Sequence, residues 1–355
     1  MFLPLLSVLP TFPLLAFAIS ATGKSASWQL QQPICPGPPE AYVVQPSEGK
    51  GLGVFAAHDL ETGDIIMREA PIIKIQPPTV AKGSPYPMSA ISKLARDQFE
   101  ALSPDAQEEV LSLTYHGNAT EKETMDKLGI IFRTNAYNTG NKIGLFPKIA
   151  RINHACRPNT SYYWNENFNK RIVYATRRIK AGEEFSVSYI SLLLTQKERQ
   201  KQLNRYGFTC QCEACTQEAA AQEASDNRRT TISNAFTHFE PKLNLKPPQS
   251  KKGKQKALVD AKASAHLVEL VQEEGLADYF ARAYRVAAIS HARVEDWQSA
   301  ATWANKAYEL RFMEDPGSRR TLELYELTSN FIANWEGELR QKYSARDAQR
   351  SSYHH

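Results

Sequence analysis

The stretch that decides the fold begins at Asn153-His154-Ala155-Cys156-Arg157-Pro158-Asn159 and ends at Tyr206-Gly207-Phe208-Thr209-Cys210-Gln211-Cys212-Glu213-Ala214-Cys215. It contains four of the chain's five cysteines. A structural zinc ion takes four ligands in a tetrahedron, usually sulfur or imidazole. Cys210, Cys212 and Cys215 can supply three thiolates from one turn, and Cys156 is the natural fourth ligand because no other cysteine lies in this stretch. The alternative is three incidental thiols near a helix end.

Motifs in and around this stretch carry a family resemblance. Asn-His-x-Cys-x-Pro-Asn at 153–159 is followed by Gly182-Glu183-Glu184, by Tyr189 five residues later, and by Cys-x-Cys-x-x-Cys at 210–215. With Gly51-Leu52-Gly53 upstream, these motifs resemble the SET-domain protein-lysine methyltransferases that carry a post-SET zinc site. The branch is similar to the fungal relatives of the SET-and-MYND enzymes. No cysteine stands between Cys35 and Cys156, so the MYND finger is missing there.

The resemblance covers about Ala41 to Cys215 and implies an α+β fold. It implies an irregular, β-rich SET domain at 41–190 with a helical insertion at about 77–131. A post-SET zinc segment follows at 191–216. The C-terminal part, 217–355, matches only in its architecture and is expected to be an all-α domain.

Local patterns predict the individual elements. Alternating apolar runs bounded by glycine turns predict strands, and serine or threonine caps predict helix starts. The predicted strands are Tyr42–Val44, Leu52–Ala57, Ile65–Ile75, Thr160–Trp164, Arg171–Thr176 and Phe185–Ser188. The predicted helices run from Pro104 toward Tyr115, from Glu121 to Ile131, from the Thr195–Glu198 capping box to about Arg205, and from Gln217 to Phe239.

The C-terminal helical pattern allows two interpretations. Asp278–His291 and Ser299–Phe312 predict an antiparallel pair whose small face resembles a tetratricopeptide-like unit. That face comprises Ala300, Ala301, Ala304 and Ala307. The alternative is a plain helical bundle that caps the SET domain. Residues 241–256, with Lys251, Lys252 and Lys254, predict a basic linker that is either solvated or in contact with nucleic acid.

The resemblance also implies an activity and its site residues. The donor would be S-adenosylmethionine and the acceptor a protein lysine, on a histone or another protein. Tyr189 would be the catalytic residue, and Tyr206 would line the lysine channel. Zinc would bind Cys156, Cys210, Cys212 and Cys215. The residues implied to bind the donor are Lys50, Gly51, Leu52, Gly53, Asn135, Asn153, His154, Tyr189 and Phe208.

Each assignment has a structural alternative. Tyr189 would otherwise be an ordinary core tyrosine, and His154 would only tie loops together. Gly51 and Gly53 would mark a plain turn between strands, and Asn135 is a residue type common in turns. Gly207 and Ala155 depart from the residues that relatives often carry, an aromatic residue and a serine. The departure at Gly207 leaves the degree of lysine methylation open.

Composition limits the class of protein. The chain has 355 residues, 42% of them hydrophobic, which predicts two or three domains with real cores. Five cysteines in this length do not make a disulfide scaffold. A net charge of +5 suits an acidic or chromatin-associated partner, or simply an ordinary solvated surface. No direct nucleic-acid-binding motif is evident, and the pattern does not predict an oligomeric state.

The N-terminus leaves the compartment open. Phe2–Ile19 is apolar and resembles a secretory signal, with Ala16-Phe17-Ala18 as a cleavage site, so residues 1–26 are a candidate signal peptide. Residues 27–40 predict a linker that carries Cys35 as an unpaired thiol. No other transmembrane segment is predicted. A reduced thiolate cluster and a nucleotide-derived donor favour the nucleus or cytoplasm.

Two other functions fit the same residues. One is a non-catalytic scaffold that binds a peptide through the C-terminal helices. The other is a secreted protein with the same fold and oxidised cysteines. For the enzyme, the architecture predicts that substrate enters a groove between the SET core and the helical domain.

Overall fold

The computed structural model describes residues 40–81 and 87–352. The candidate signal peptide, most of the predicted linker at 27–40 and Cys35 lie outside the described residues. The strands are β1 (Tyr42–Ser47), β2 (Gly51–Ala56), β3 (Ile65–Glu69), β4 (Ile73–Ile75), β5 (Ala136–Thr139), β6 (Lys142–Leu145), β7 (Asn153–His154), β8 (Thr160–Asn165), β9 (Lys170–Ala175) and β10 (Ser186–Val187). The helices are α1 (Met88–Phe99), α2 (Pro104–Leu111), α3 (Ala119–Thr124), α4 (Lys127–Asn135), α5 (Gln196–Leu203), α6 (Ala219–Asn234), α7 (Lys251–Glu273), α8 (Phe280–Ala292), α9 (Trp297–Glu314) and α10 (Arg319–Ser352).

The strands form four small sheets, which confirms the irregular β-rich core. β1 pairs with β2, β9 lies between β3 and β8, and β6 lies between β4 and β5, all antiparallel. The single strand predicted at Ile65–Ile75 is wrong: it is two strands in two different sheets. The break falls at Ala70-Pro71, where proline lacks the N–H that a continuous strand would donate.

One short parallel pair organises the site. β7 pairs with β10, with Asn153 opposite Ser186 and His154 opposite Val187. The backbone N–H of Ala155 extends this pairing by donating to the carbonyl oxygen of Val187. The segment Asn153-His154-Ala155 therefore lies beside β10, the strand that leads to Tyr189.

The helical insertion is confirmed, although its details differ from the prediction. The helix predicted at Glu121–Ile131 is two helices, α3 and α4, because Met125 is extended and Asp126 caps a new start through the N–H of Leu128. Ser103 caps α2 as predicted. The insertion packs on β4 through a separate apolar cluster that includes Ile91, Val110 and Phe132.

The Cys-rich segment and the C-terminal helices share one hydrophobic core. Cys156, Leu203 and Cys210 belong to the same buried cluster as Ile232 and Val271. The boundary predicted near residue 217 therefore does not separate two cores. α5 begins at the predicted capping box between Thr195 and Glu198, and the chain leaves its last turn at Gly207 with φ of +79°.

Two features of the C-terminal helices test the sequence patterns. The predicted alanine face of α9 is buried. The basic run at 251–254, expected within a linker, instead forms the first turn of α7, because Ser250 caps the helix through the N–H of Gly253. Among the described helices, none is both long and apolar enough to cross a bilayer.

Candidate active site and metal centre

The four predicted zinc ligands come together. The sulfur atoms of Cys156, Cys210, Cys212 and Cys215 all lie within 4.8 Å of one another. The Cys156 and Cys215 sulfurs are 3.6 Å apart. Zn–S bonds of about 2.3 Å place the sulfurs of a regular tetrahedron about 3.8 Å apart. The donor set and its spacing therefore fit a structural zinc ion.

Buried positive charge surrounds this cluster. The guanidinium of Arg199, which is fully buried, lies 4.0 Å from the Cys215 sulfur and also donates to the carbonyl oxygen of Leu194. Arg229 is also fully buried and donates to the carbonyl oxygens of Leu192 and Cys156. Four thiolates around Zn²⁺ would carry a net charge of −2, and the buried guanidinium of Arg199 beside Cys215 offsets part of that charge.

A buried carboxylate connects the cluster to the C-terminal helices. Glu274, at the end of α7, accepts hydrogen bonds from Arg229 Nε at 3.0 Å, Arg228 Nε at 2.7 Å and the Ser225 hydroxyl at 2.8 Å. Burial opposes ionisation, but the bonds from Ser225 and Arg228 hold the pKa of Glu274 below its usual value. The network ties α6 and α7 to the carbonyl of Cys156.

Hydrogen bonds fix Tyr189 at its backbone N–H and at its side-chain hydroxyl. Its backbone N–H donates to His154 Nδ1 at 3.1 Å, and its hydroxyl donates to the carbonyl oxygen of Ile152 at 2.7 Å. Since Nδ1 of His154 accepts, Nε2 carries the proton and faces the Cys156 sulfur at 3.3 Å. Burial lowers the pKa of His154 to about 4, so the ring is neutral. His154 therefore links the metal cluster to Tyr189.

A cavity of about 520 Å³ collects most of the other predicted site residues. We call it the first cavity. Of the predicted residues, it is lined by Lys50, Leu52, Asn135, Asn153, Tyr189, Tyr206 and Phe208. Gly51, Gly53 and His154 are not among its lining residues. Both ring nitrogens of His154 already face protein groups, which favours the loop-tying role for its side chain.

The residues at the β2 end of the first cavity are positioned by Glu184. Its carboxylate accepts from Lys50 Nζ at 2.8 Å and from Asn153 Nδ2 at 2.7 Å. Asn153 also donates to the carbonyl oxygen of Leu52 at 3.1 Å. A Cβ atom at Gly53 would lie 2.5 Å from a carboxylate oxygen of Glu184, so glycine is needed there for this close approach.

Asn135 reaches the first cavity from the end of α4. Its amide nitrogen donates to the carbonyl oxygens of Thr114 and Ile131, each at 2.9 Å. These two bonds fix the orientation of the side chain and tie the helical insertion to the cavity wall.

Tyr206 and Phe208 approach Tyr189 from the Cys-rich segment. The ring centres of Tyr189 and Tyr206 are 5.0 Å apart, and Phe208 meets Tyr189 edge-on at 6.5 Å. Gly207, between them, has no room for a side chain, because a Cβ there would lie 2.0 Å from the ring of His116. His116 therefore occupies the space into which a side chain at position 207 would extend.

Several residues that line the first cavity were missed as site residues, among them two tyrosines and a buried arginine. Tyr137, Tyr162 and Arg171 lie on β5, β8 and β9, and Arg171 is only 4% exposed. The strand pattern placed Tyr162 and Arg171 correctly but could not show which face meets a cavity, and it predicted no strand at Tyr137. A charged residue at the start of the apolar run Arg171-Ile172-Val173 was the one available signal.

A second cavity, of about 390 Å³, adjoins the first. The two share Tyr162 and Ser188. The second cavity lies between the β-rich core and the C-terminal helices, and its charged lining residues are Asp278, Arg311, Glu314 and Arg320.

The comparisons with known proteins converge on one domain. The SET-domain profile matches residues 51–190. The histone-lysine N-methyltransferase set5 of Schizosaccharomyces pombe is 32% identical over 198 residues, which cover 54% of this chain and 56% of set5. A putative SET domain-containing protein of Acanthamoeba polyphaga mimivirus is 30% identical over 193 residues, covering 47% of this chain and 74% of that protein.

A third relative matches a shorter segment. The human histone-lysine N-methyltransferase SMYD3 is 41% identical over 74 residues, covering 21% of this chain and 17% of SMYD3. The chain thus spans about half the length of set5 and a small part of SMYD3.

Proposed function

This chain belongs to the SET-domain family, and on that premise we propose that it transfers a methyl group from S-adenosylmethionine to a protein lysine. The observation that carries the proposal is the first cavity, which brings Lys50, Asn153 and Phe208 together with Tyr189 and Tyr206. Its volume of about 520 Å³ lies within the usual range for small-molecule sites.

The acceptor must enter as a neutral amine. A free lysine has a pKa near ~10.4, so removing its proton at pH 7 costs about 4–5 kcal/mol. After the proton has passed to water, the nitrogen lone pair forms a bond to the methyl carbon while the bond between carbon and sulfur breaks. The bound donor supplies the activated methyl group, and the chain supplies alignment and exclusion of water.

Tyr189 is suited to alignment rather than to proton removal. Burial raises its pKa well above the usual value, so it remains a phenol at neutral pH. Its hydroxyl proton is donated to the carbonyl oxygen of Ile152, which leaves the phenolic oxygen as an acceptor. That oxygen can accept a hydrogen bond from the incoming amine without bringing a full charge.

The metal cluster would support this site rather than take part in transfer. Zinc held by Cys156, Cys210, Cys212 and Cys215 would fix the segment that carries Tyr206 and Phe208. His154 passes the same constraint to Tyr189 through its two ring nitrogens. The structural role of the metal thus extends to the catalytic tyrosine.

The second cavity is the proposed entrance for the substrate. Glu314 pairs with Arg311, so Asp278 is the carboxylate of this cavity that can meet a lysine-bearing segment. The protein atoms that surround the Asp278 carboxyl in this cavity raise its pKa above the usual value. The acceptor side chain would pass Tyr162 and Ser188 into the first cavity. The acceptor is a histone or another protein.

Calorimetry and labelling test this function together. The full chain should bind S-adenosylmethionine at one site and pass labelled methyl groups to lysines in a protein extract, located by mass spectrometry. A non-catalytic scaffold would neither bind the donor nor label any protein, and that result would overturn the proposal.

A further inference from the structure

The charged residues of the first cavity are all cations. They are Lys50, Arg151, Arg171 and Arg205. Lys50 and Arg205 are exposed and Arg151 is half-buried, so water screens part of their charge. Arg171 differs because it is buried in the wall formed by β9.

Aromatic rings enclose the guanidinium of Arg171. Its Cζ lies 4.6 Å from the ring centre of Tyr137 and 4.7 Å from that of Tyr162. The ring of Phe146 follows at 5.3 Å. Such contacts hold a cation without neutralising its charge. Tyr162 is also one of the two residues that join the first and second cavities.

The hydrogen bonds of Arg171 leave this charge uncompensated. One terminal nitrogen donates to the carbonyl oxygen of Asn138, and Nε is buried without a partner. Among the described residues, no carboxylate forms an ion pair with it. Glu69 lies opposite Arg171 across the sheet, but its carboxylate accepts from the backbone N–H groups of Lys148 and Ile149.

We propose that the buried charge of Arg171 disfavours the ammonium form of the acceptor lysine and so promotes the neutral amine that receives the methyl group. This inference rests on the proposed function. The lysine would enter as an ammonium past the carboxylate of Asp278 and release its proton to water in the second cavity. Its nitrogen would then reach Tyr189 uncharged. Arg171 would act through its field, without contact with the transferred methyl.

The titratable groups around Arg171 define the pH range for a test. Tyr137 and Tyr162 face it from β5 and β8, and burial raises the pKa of both phenols. Glu69 faces it from β3, and burial raises the pKa of that carboxyl to about 7. Above pH 8 Glu69 is mostly ionised, so a change between pH 8 and 10 reports on the acceptor lysine.

The test compares pH–rate profiles of zinc-loaded full-length Arg171→Met, Arg171→Gln and Arg171→Lys. The acceptor is a labelled protein identified in the extract assay, and melting temperatures verify folding. At pH 8, with donor and acceptor both saturating, the two neutral variants should lose about tenfold in kcat, because a pKa of the bound lysine raised by about one unit leaves a tenth of the neutral amine. At pH 10 their deficit should shrink below about threefold, while Arg171→Lys should follow the wild type.

Lys74→Met is the matched control. Its amine lies 4.4 Å from the ring centre of Trp164, the residue opposite Arg171 on β8, and Lys74 does not line the first cavity, so its profile should not change. Equal deficits at pH 8 and pH 10 in the neutral Arg171 variants would show a purely structural role and overturn the inference. A wild-type protein without transfer at any pH would instead refute the proposed function, and this inference with it.

Discussion

The guanidinium of Arg229 donates a hydrogen bond to the carbonyl oxygen of Cys156 over 3.1 Å. Arg229 lies on α6, and Cys156 lies in the motif beside Tyr189. This bond connects the C-terminal helices directly to a predicted zinc ligand. It implies that the helices and the metal cluster stabilise each other.

The positive charge of Arg199 beside the cysteine cluster should slow the release of zinc. Arg199→Met removes a buried cation beside Cys215, so the tetrathiolate loses compensation and holds its metal less firmly. We expect release to a chromogenic chelator to be at least about tenfold faster, which corresponds to about 1.4 kcal/mol. Lys201→Met, an exposed change on the same helix, should not alter the rate. Equal rates for wild type and Arg199→Met would refute the charge argument.

Removing the negative charge of Glu274 should lower the free energy of unfolding substantially. Glu274→Gln leaves the buried guanidinium of Arg229 without its carboxylate, and breaking one side of a buried ion pair costs about 3–5 kcal/mol. Glu273→Gln is the adjacent control: Glu273 is 60% exposed and pairs with Arg228, so its loss should cost less than about 1 kcal/mol. Urea unfolding measures both. Similar values for the two variants would show that the buried network contributes little.

A side chain at position 207 should clash with His116, and shortening His116 should relieve that clash. Gly207→Ala places a Cβ against the ring of His116 at a φ of +79°, and such strain costs about 1–3 kcal/mol. His116→Ala makes room, so the double variant should be more stable than the sum of the two single changes predicts. Thermal unfolding of all four proteins tests this coupling. Strictly additive effects would mean that His116 does not fill the space beside Gly207.

The motifs predicted the residues at the centre of the site, but not the strand residues that line the first cavity. The cysteine spacing predicted a metal cluster because thiolates from one turn can share one ion. The Asn153-His154 pair and Tyr189 were predicted by family resemblance, and the parallel pairing of β7 with β10 shows why they meet. Arg171 and Tyr162 belong to strands whose apolar pattern does not reveal which face meets a cavity.

Long-range polar contacts were equally hidden. Arg199 lies in a helix of polar residues, yet it is fully buried and contacts the sulfur of Cys215 in the Cys-rich turn. The break at Ala70-Pro71 illustrates the same limit. The proline was evident in the sequence, but the change of sheet depends on distant partners: Ile73 on β4 pairs with Leu145, and Glu69 on β3 pairs with Arg171.

Transfer of labelled methyl groups by Tyr189→Phe tests the central claim most directly. Phenylalanine keeps the ring against Tyr206 and Phe208 but removes the aligned oxygen. Tyr163→Phe, on β8 and not among the residues that line the first cavity, is the control. We predict that Tyr189→Phe binds S-adenosylmethionine like the wild type and transfers methyl at least about a hundredfold more slowly, the lower range for loss of one catalytic side chain. Transfer by Tyr189→Phe at the wild-type rate would contradict the account.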